Sequence, residues 1–279
     1  MKITVLGASG FIGRALVAAL AARGDDVRGI SLRDPAVAAE AADGSDVVVN
    51  LAGAPVAERW TDENKRAIAR SRVDLPNAFL SALERAAQRP RAYVSASAIG
   101  YYGMSRTATF TETSPAGDDF LARICLAWET EAARAAALGM RVAVVRTGLV
   151  LGRDGGALAK LLPLFRSGLG GPLASGEQWY SWIHLDDQIG IYLLAIDGYA
   201  GALNATAPEP VRNRDFTRAL ATAVHRPALL PAPEFALKLV LGEGASVVTE
   251  GQRVLPEATL AAGYAFRYPE IGAALAALT

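Results

Sequence analysis

The stretch Lys2-Ile3-Thr4-Val5-Leu6-Gly7-Ala8-Ser9-Gly10-Phe11-Ile12-Gly13 decides how the rest of this 279-residue sequence is interpreted. Lys2–Leu6 is a short apolar strand, and Phe11–Arg23 has the spacing of an amphipathic helix. Three glycines lie in and just after the turn between them. A strand, a glycine-rich turn and a helix in this order are typical of the first unit of a dinucleotide-binding fold.

Each glycine of the turn has its own expected role. Gly7 permits the tight turn, Gly10 lets a pyrophosphate approach the backbone, and Gly13 lets the helix pack closely. Phe11 and Ile12 open the helix, whose N-terminal N–H groups and positive dipole end favour an anion. The pattern is G-x-x-G-x-x-G rather than G-x-G-x-x-G, so its strand–turn–helix context carries the specificity.

Strands and helices alternate through the first half of the chain, which predicts a parallel sheet with right-handed crossovers. The fold class we expect is therefore α/β, a Rossmann-type doubly wound parallel sheet. Further strands are predicted at Val27–Ser31, Val47–Leu51, Ala92–Ser95 and Val142–Val145, and further helices at about Thr61–Arg89 and Phe120–Leu138.

Beyond Gly152 the sequence breaks into short pieces rich in glycine and proline. Helical patterns persist at Asp186–Asp197, Asp215–Val224 and Glu234–Leu241. We expect a dinucleotide-binding domain over residues 1–155, to which residues 183–208 return. A smaller, interleaved substrate-side domain is expected over residues 156–279.

Composition limits the classes of partner. Basic and acidic residues are equal at 28 each and the pI is near 6.8, which gives no electrostatic footprint for nucleic acid or an anionic membrane. One cysteine and an apolar N-terminal run that stops at Gly7, too short for a signal peptide, suggest a cytoplasmic protein. The two histidines show no metal-ligand spacing, so no metal is expected. The expected partner is a small-molecule substrate, and a homodimer is left open.

The end of the second strand bears on cofactor choice. An arginine there accommodates the 2′-phosphate of NADP, whereas a carboxylate binds the ribose diol of NAD. The sequence reads Ser31-Leu32-Arg33, which favours NADP(H). Asp34 follows directly and keeps the diol alternative open.

Candidate catalytic groups follow the Ala92–Ser95 strand. Ser97, Tyr101 and Tyr102 lie just beyond its carboxyl end, the edge at which ligands bind in a doubly wound sheet. Ser97 would hydrogen-bond the reacting oxygen, and Tyr101 or Tyr102 would transfer the proton. The nearby stripe Trp179, Tyr180, Trp182 either lines a pocket or packs in the core.

At this point the chain resembles the extended short-chain dehydrogenase/reductases, and more closely an atypical subfamily related to nucleoside-diphosphate-sugar epimerases. The resemblance rests on the glycine turn and on several further motifs. These are Asn50–Gly53, Arg59–Arg72, Ser95–Gly103, Trp128-Glu129, Arg146–Gly152, Gly168–Pro172, Trp182–His184, Glu250–Val254 and Gly263-Tyr264. The resemblance implies an NADP-type dinucleotide that touches Ser31, Arg33, Leu51, Ala52, Arg72 and Val150. Relatives usually have another short strand between Arg33 and Asp46, where this chain has only twelve residues.

The sequence departs from active relatives at their Y-x-x-x-K motif, in which a lysine lowers the pKa of a catalytic phenol. Counting back from Glu129 places Leu121 and Cys125 at the two positions. Both lie on the apolar face of their helix, so we expect Cys125 to be a buried apolar residue. His184 precedes two aspartates, and we expect it to satisfy local hydrogen bonds.

Three functions remain open at this stage. The first is an NADP(H)-dependent oxidoreductase or epimerase-like enzyme acting on a small carbonyl or sugar-type substrate. The second is an NADPH-binding sensor or scaffold without catalysis, which the missing tyrosine–lysine pair favours. The third is a binding module that recruits a protein partner through its C-terminal region.

Overall fold

A six-stranded parallel sheet is the centre of the computed structural model, which describes residues 1–279. The strands of the chain are β1 (Lys2–Leu6), β2 (Asp26–Ile30), β3 (Val47–Asn50), β4 (Ala92–Ala98), β5 (Thr109–Phe110), β6 (Arg141–Thr147), β7 (Leu149–Gly152), β8 (Trp179–Tyr180), β9 (Trp182–His184), β10 (Gly201–Ala205), β11 (Val211–Arg212) and β12 (Arg253–Val254). The sheet order is β10-β6-β4-β3-β1-β2, with every pairing parallel. The predicted α/β fold class is confirmed.

Twelve α-helices connect and cover these strands. They are α1 (Phe11–Ala22), α2 (Pro35–Ala42), α3 (Asp62–Ala69), α4 (Leu75–Leu83), α5 (Phe120–Ala133), α6 (Gly156–Arg166), α7 (Leu185–Asp197), α8 (Asn213–Ala223), α9 (Glu234–Leu241), α10 (Ser246–Thr249), α11 (Glu257–Ala261) and α12 (Ile271–Leu278). The single helix predicted over about Thr61–Arg89 is wrong in detail. It is two helices, α3 and α4, joined by a π-helical turn at Arg70–Asp74 and ending at Leu83.

The valine run of β3 shows why the sheet is covered on both faces. Val47 and Val49 belong to a core that includes residues of α1 and α7, whereas Val48 faces a second core with α2 and α4. Successive side chains of a strand point to opposite faces, so an unbroken apolar run requires cover on each side.

The edge of the sheet beyond β1 is formed by β2 alone. The twelve residues between Arg33 and Asp46 form α2 and its flanking turns rather than another strand. β2 is therefore the edge strand on this side.

The second half of the chain adds to the sheet and also builds a separate core. β10 pairs with β6 and follows α7, which packs against the sheet. A third apolar cluster joins α6, α8 and α12 with the short strands β8 and β9. No helix has the length and apolar character needed to cross a bilayer.

Candidate active site

The glycine turn crosses the carboxyl end of β3. Gly7 has a φ of +81°, and a Cβ placed on it would lie 2.9 Å from the Leu51 carbonyl carbon. A Cβ on Gly13 would overlap the Gly7 carbonyl oxygen, so the third glycine brings the helix against the turn. Gly10 differs, because its φ is −70° and its added Cβ would meet only the Gly7 oxygen, at 3.3 Å. The open side of the turn is therefore at Gly10, where a pyrophosphate is expected.

Phe11 fixes the start of α1 against the second half of the chain. An added Cβ on Gly152 would lie 2.5 Å from the Phe11 ring, and one on Gly155 would overlap that ring. Val150 precedes this contact on β7 and is buried, while Ile12 is half-buried against the first core. The structure thus brings Phe11 and Val150 to the same end of the sheet.

The end of β2 presents two polar side chains to solvent. Ser31 and Arg33 are exposed on either side of the buried Leu32, and the Ser31 hydroxyl accepts a hydrogen bond from the Arg33 N–H at 3.2 Å. Asp34 is used differently, since its Oδ1 accepts from the N–H groups of Ala36 and Val37 and caps α2. The carboxylate that could have bound a ribose diol is engaged by the helix.

A buried amide shapes the turn after β3. Asn50 accepts from the Ala52 N–H at 3.1 Å and donates to the Tyr93 hydroxyl at 2.9 Å. This arrangement holds Leu51 and Ala52 half-buried directly beneath Gly7. Both residues therefore lie at the turn where the resemblance expects the dinucleotide.

Arg72 projects from the π-helical turn toward the same edge. A Cβ on Gly53 would lie 3.0 Å from Arg72 Nη2, and its guanidinium lies 5.1 Å from the centre of the Trp128 ring. Its only protein hydrogen bonds are long ones, at 3.5 Å to the Ile68 carbonyl and 3.3 Å to Ser71. Burial lowers the pKa of Arg72. The positive charge of Arg72 also acts to lower the pKa of the Cys125 thiol, against the larger effect of burial, which raises it. A half-buried guanidinium without a carboxylate partner is suited to bind an anion or a hydroxyl group.

β4 extends to Ala98, so Ser97 lies within the strand and not just beyond its end as predicted. From this end of β4 a buried network reaches α5, β6 and β10. The Ser97 hydroxyl donates to Glu129 at 2.7 Å, and Glu129 accepts two hydrogen bonds from Arg146. Arg146 also donates to the Tyr102 hydroxyl, which donates to Asn204 at 2.6 Å. Burial raises the pKa of Tyr102 to about 12. Burial acts to lower the pKa of Arg146, but the hydrogen bonds and charge of Glu129 raise it overall.

Of the three predicted catalytic residues, only Tyr101 is not enclosed by this network. Ser97 and Tyr102 are buried, whereas Tyr101 is half-exposed with its ring 3.6 Å from the Arg146 guanidinium carbon. Cys125 is buried as expected, and burial raises the pKa of its thiol to about 12. The Leu121 and Cys125 side chains pack against Gly100.

The aromatic stripe and His184 have separate places. Tyr180 and Trp182 are buried in the third core, while Trp179 is half-exposed at its edge. His184 caps α7, with Nδ1 accepting from the Asp186 N–H at 3.0 Å, and its ring lies 3.9 Å from that of Tyr268. Burial lowers the pKa of His184. The local hydrogen-bonding role predicted for it is confirmed.

Sequence reasoning gave Arg146 and Asn204 no role in the site. One signal for Arg146 was present, because a charged residue directly ends the apolar run Val142–Val145. A buried charge needs a partner, but its partner Glu129 is 17 residues away and on another element. Asn204 carries no comparable pattern, since it lies within a short strand of the second half.

Comparison with known proteins agrees with this geometry. Residues 3–205 match the NAD dependent epimerase/dehydratase family, and residues 232–278 match a domain of unknown function, DUF1731. An epimerase family protein SDR39U1 homolog of Arabidopsis thaliana, described as chloroplastic, is 42% identical over 100% of this chain and 86% of its own length. Human SDR39U1 is 39% identical over 99% of this chain and 98% of its own.

Solved structures give the same result. The crystal structure of human SDR39U1 (isoform2) with NADPH has a TM-score of 0.94 at 37% identity, over 100% of this chain and 99% of that chain. A UDP-glucose 4-epimerase from Thermotoga maritima, at 16% identity over 100% of this chain and 97% of that chain, shares the fold with a TM-score of 0.82. The chain therefore belongs to the NAD dependent epimerase/dehydratase family, as an atypical short-chain dehydrogenase/reductase similar to SDR39U1.

Proposed function

We propose that this chain is an NADP(H)-dependent oxidoreductase or epimerase-like enzyme for a small carbonyl or sugar-type substrate. The cofactor part is supported by the human relative whose structure contains NADPH. It is also supported by the exposed Ser31 and Arg33, and by the engagement of Asp34 as a helix cap. A guanidinium and a hydroxyl suit a 2′-phosphate.

The observation that carries the enzymatic proposal is the position of Arg72. Its guanidinium has no carboxylate partner and lies against Gly53, and its charge acts on the Cys125 thiol. The family resemblance implies that Cys125 stands at the position of the lysine in active relatives. A lysine there would hold ribose hydroxyls and place a positive charge near the reacting groups. Arg72 supplies such a charge from a different element.

Tyr101 is the proton donor in this proposal. When bound, NADPH would supply the hydride for carbonyl reduction. The Tyr101 hydroxyl gives its proton to the carbonyl oxygen, so that an alcohol forms, and regains a proton from water, which the half-exposed residue can contact. The Arg146 guanidinium lies over the face of the Tyr101 ring and helps to fix the orientation of that ring. Ser97 and Tyr102 position Arg146 through the buried network and do not touch the substrate.

The alternative is an NADPH-binding sensor or scaffold. Leu121 and Cys125 favour it, because neither side chain can replace a tyrosine–lysine pair directly. This alternative requires NADPH binding with no carbonyl reduction.

A reductase screen with stopped-flow NADPH fluorescence tests the proposal. We expect the wild type to reduce activated carbonyls slowly. In Tyr101→Phe the turnover rate should be at least tenfold lower, while the affinity for NADPH stays unchanged. Arg72→Leu should lower both NADPH affinity and turnover. Tight NADPH binding without turnover over a broad carbonyl panel would favour the sensor.

Tyr102→Phe is the matched control for Tyr101→Phe. It removes a hydroxyl from the buried network and leaves Asn204 without its donor. We expect a loss of about 1–3 kcal/mol in the free energy of unfolding. Turnover per folded molecule should fall less than in Tyr101→Phe.

A further inference from the structure

Two arginines lie beside the one exposed aromatic ring of the Trp179–Trp182 stripe. The Arg212 guanidinium carbon lies 3.7 Å from the Trp179 ring centre, and that of Arg253 lies 5.4 Å from it. Arg106 borders the same ring, because its carbonyl accepts hydrogen bonds from Trp179 Nε1 and Arg212 Nη2. We call Trp179, Arg212, Arg253 and Arg106 the Trp179 cluster.

Strand pairing fixes the positions of the two guanidinium groups. Arg212 is the direct partner of Trp179 in the antiparallel pair of β11 with β8, and it also donates to the Glu177 carbonyl. Arg253 lies on β12, which pairs with β5, and it donates to the Thr109 hydroxyl at 3.0 Å. Such anchoring reduces the entropy lost when a ligand binds.

No carboxylate lies within ion-pair distance of Arg106, Arg212 or Arg253. The neighbouring Arg214 shows the contrast, since it is paired with Glu177. The charges of Arg212 and Arg253 lie beside the same ring and repel each other, and a bound anion would offset that repulsion. Guanidinium groups match the oxygens of carboxylate and phosphate in two-point contacts.

The cluster borders the segment that carries Tyr101. Gln252, next to Arg253, donates to the Ile99 carbonyl at 2.8 Å, and the Gly251 carbonyl accepts from the Ser105 N–H at 3.0 Å. The segment that carries Arg253 is therefore hydrogen-bonded on both sides of Tyr101, the candidate proton donor.

The geometry points to an anion subsite in which Arg212 and Arg253 bind a carboxylate or phosphate group of the substrate, with Trp179 as the supporting surface. This inference rests on the proposed reductase function, whose substrate it restricts to carbonyl compounds with an anionic group. Carboxylate and phosphate both present anionic oxygens to a guanidinium, so the test includes substrates with each group.

Selectivity between matched aldehydes tests the subsite. Succinic semialdehyde is compared with butyraldehyde, and glyceraldehyde 3-phosphate with glyceraldehyde, all with NADPH. We expect kcat/KM to be at least tenfold higher for one anionic member than for its neutral partner. Arg212→Gln and Arg253→Gln should remove most of that preference, because kcat/KM should fall much more for the anionic aldehydes than for the neutral ones. Arg218→Gln, an exposed arginine of α8, is the control and should keep it.

Arg212→Lys separates geometry from charge. It keeps the positive charge but loses the planar guanidinium, so we expect it to retain only part of the preference. Equal rates for anionic and neutral aldehydes in the wild type, or a preference that survives Arg212→Gln, would overturn the proposal.

A binding measurement keeps the test decisive if no aldehyde turns over. The NADPH-loaded protein, with its dinucleotide site filled, is titrated calorimetrically with succinate and with inorganic phosphate at low salt. Binding of either anion that weakens at least tenfold in Arg212→Gln supports the subsite even if the enzymatic proposal fails. Absence of binding by both anions, or equal weakening in Arg218→Gln, would overturn it.

Discussion

Arg33 and Asp34 are neighbours with different functions at the end of β2. Arg33 is exposed and free to meet a phosphate, while Asp34 caps α2. We predict that Arg33→Ala weakens NADPH binding much more than NADH binding, by about 1.5–3 kcal/mol, because a charge-assisted hydrogen bond is lost. Fluorescence titration with both dinucleotides measures the difference.

Asp34→Ala is the companion variant. It should cost about 1 kcal/mol of stability through the lost cap and leave the preference between NADPH and NADH unchanged. A selective loss of NADH affinity would instead show that Asp34 binds a ribose diol, and the assignment to NADP(H) would then fail.

A second pair of variants separates the expected roles of Gly10 and Gly13, the second and third glycines of the turn. Gly10→Val should abolish dinucleotide binding, because its added atoms occupy the open side of the turn. Its φ of −70° suits any residue, so we expect a stability change of only about 1 kcal/mol. Gly13→Ala should unfold at a markedly lower temperature, since its Cβ would lie 2.9 Å from Ala8. Thermal melts and NADPH titration give the two readouts. If Gly10→Val bound NADPH normally, the pyrophosphate would have to lie elsewhere.

At the scale of elements, the sequence predicts best where one local pattern is sufficient. β3 could be found from its valine run, and α1 from its spacing after the glycine turn. The two-residue strands β5 and β12 could not be found, because they exist only through their pairing across more than 140 residues. The same limit applies to the site. The dinucleotide turn is local in sequence, whereas Arg72 was identified only through the family resemblance, and the Glu129–Arg146 pair depends on tertiary packing.

The attachment of the C-terminal segment to α7 depends on one buried carboxylate. Asp187 accepts from the Tyr264 hydroxyl at 3.1 Å and from the N–H groups of Arg267 and Tyr268 at 2.7 and 2.9 Å. Asp187→Ala leaves these donors unpaired, so we predict a loss of about 2–3 kcal/mol in the free energy of unfolding. Urea denaturation measures it. The neighbouring Asp186→Ala removes only an exposed ion pair with Arg267 and should cost less than about 1 kcal/mol. Equal losses in the two variants would contradict the anchoring role.

For the whole molecule, the proposed site draws on three parts of the structure. The carboxyl ends of β1, β2 and β3 carry the residues proposed to bind the dinucleotide, and Arg146 of the buried network packs against the Tyr101 ring. The Trp179 cluster joins Arg106 of the first half of the chain to Trp179, Arg212 and Arg253 of the second half. A domain boundary near residue 155, a cytoplasmic location and a homodimer stay predictions.

The same packing encloses several phenols, which predicts how the molecule responds to alkali. Burial raises the pKa of Tyr102 and Tyr180 to about 12, and raises the pKa values of Tyr93 and Tyr192 as well. In the unfolded chain a phenol loses its proton near pH 10. The folded state therefore holds protons that the unfolded state releases, and this stability is complete below about pH 10 and lost as pH rises toward 12. Each such group lowers the free energy of unfolding by about 1.4 kcal/mol per pH unit in that range.

Absorbance at 295 nm and circular dichroism, followed together from pH 9 to 12.5, test this prediction. We expect the more exposed of the eight tyrosines to ionise first, and the buried ones to ionise only as the fold is lost. Tyr180→Phe removes one phenol whose pKa is raised in the folded state. Between about pH 10 and 12 the free energy of unfolding of this variant should therefore fall with a slope that is about 1.4 kcal/mol per pH unit smaller than in the wild type. Ionisation of all eight tyrosines near pH 10 in a protein that keeps its circular dichroism spectrum would show that these phenols are accessible to water. The buried network behind Tyr101 would then not be closed, and its role in holding Arg146 against the Tyr101 ring would fail.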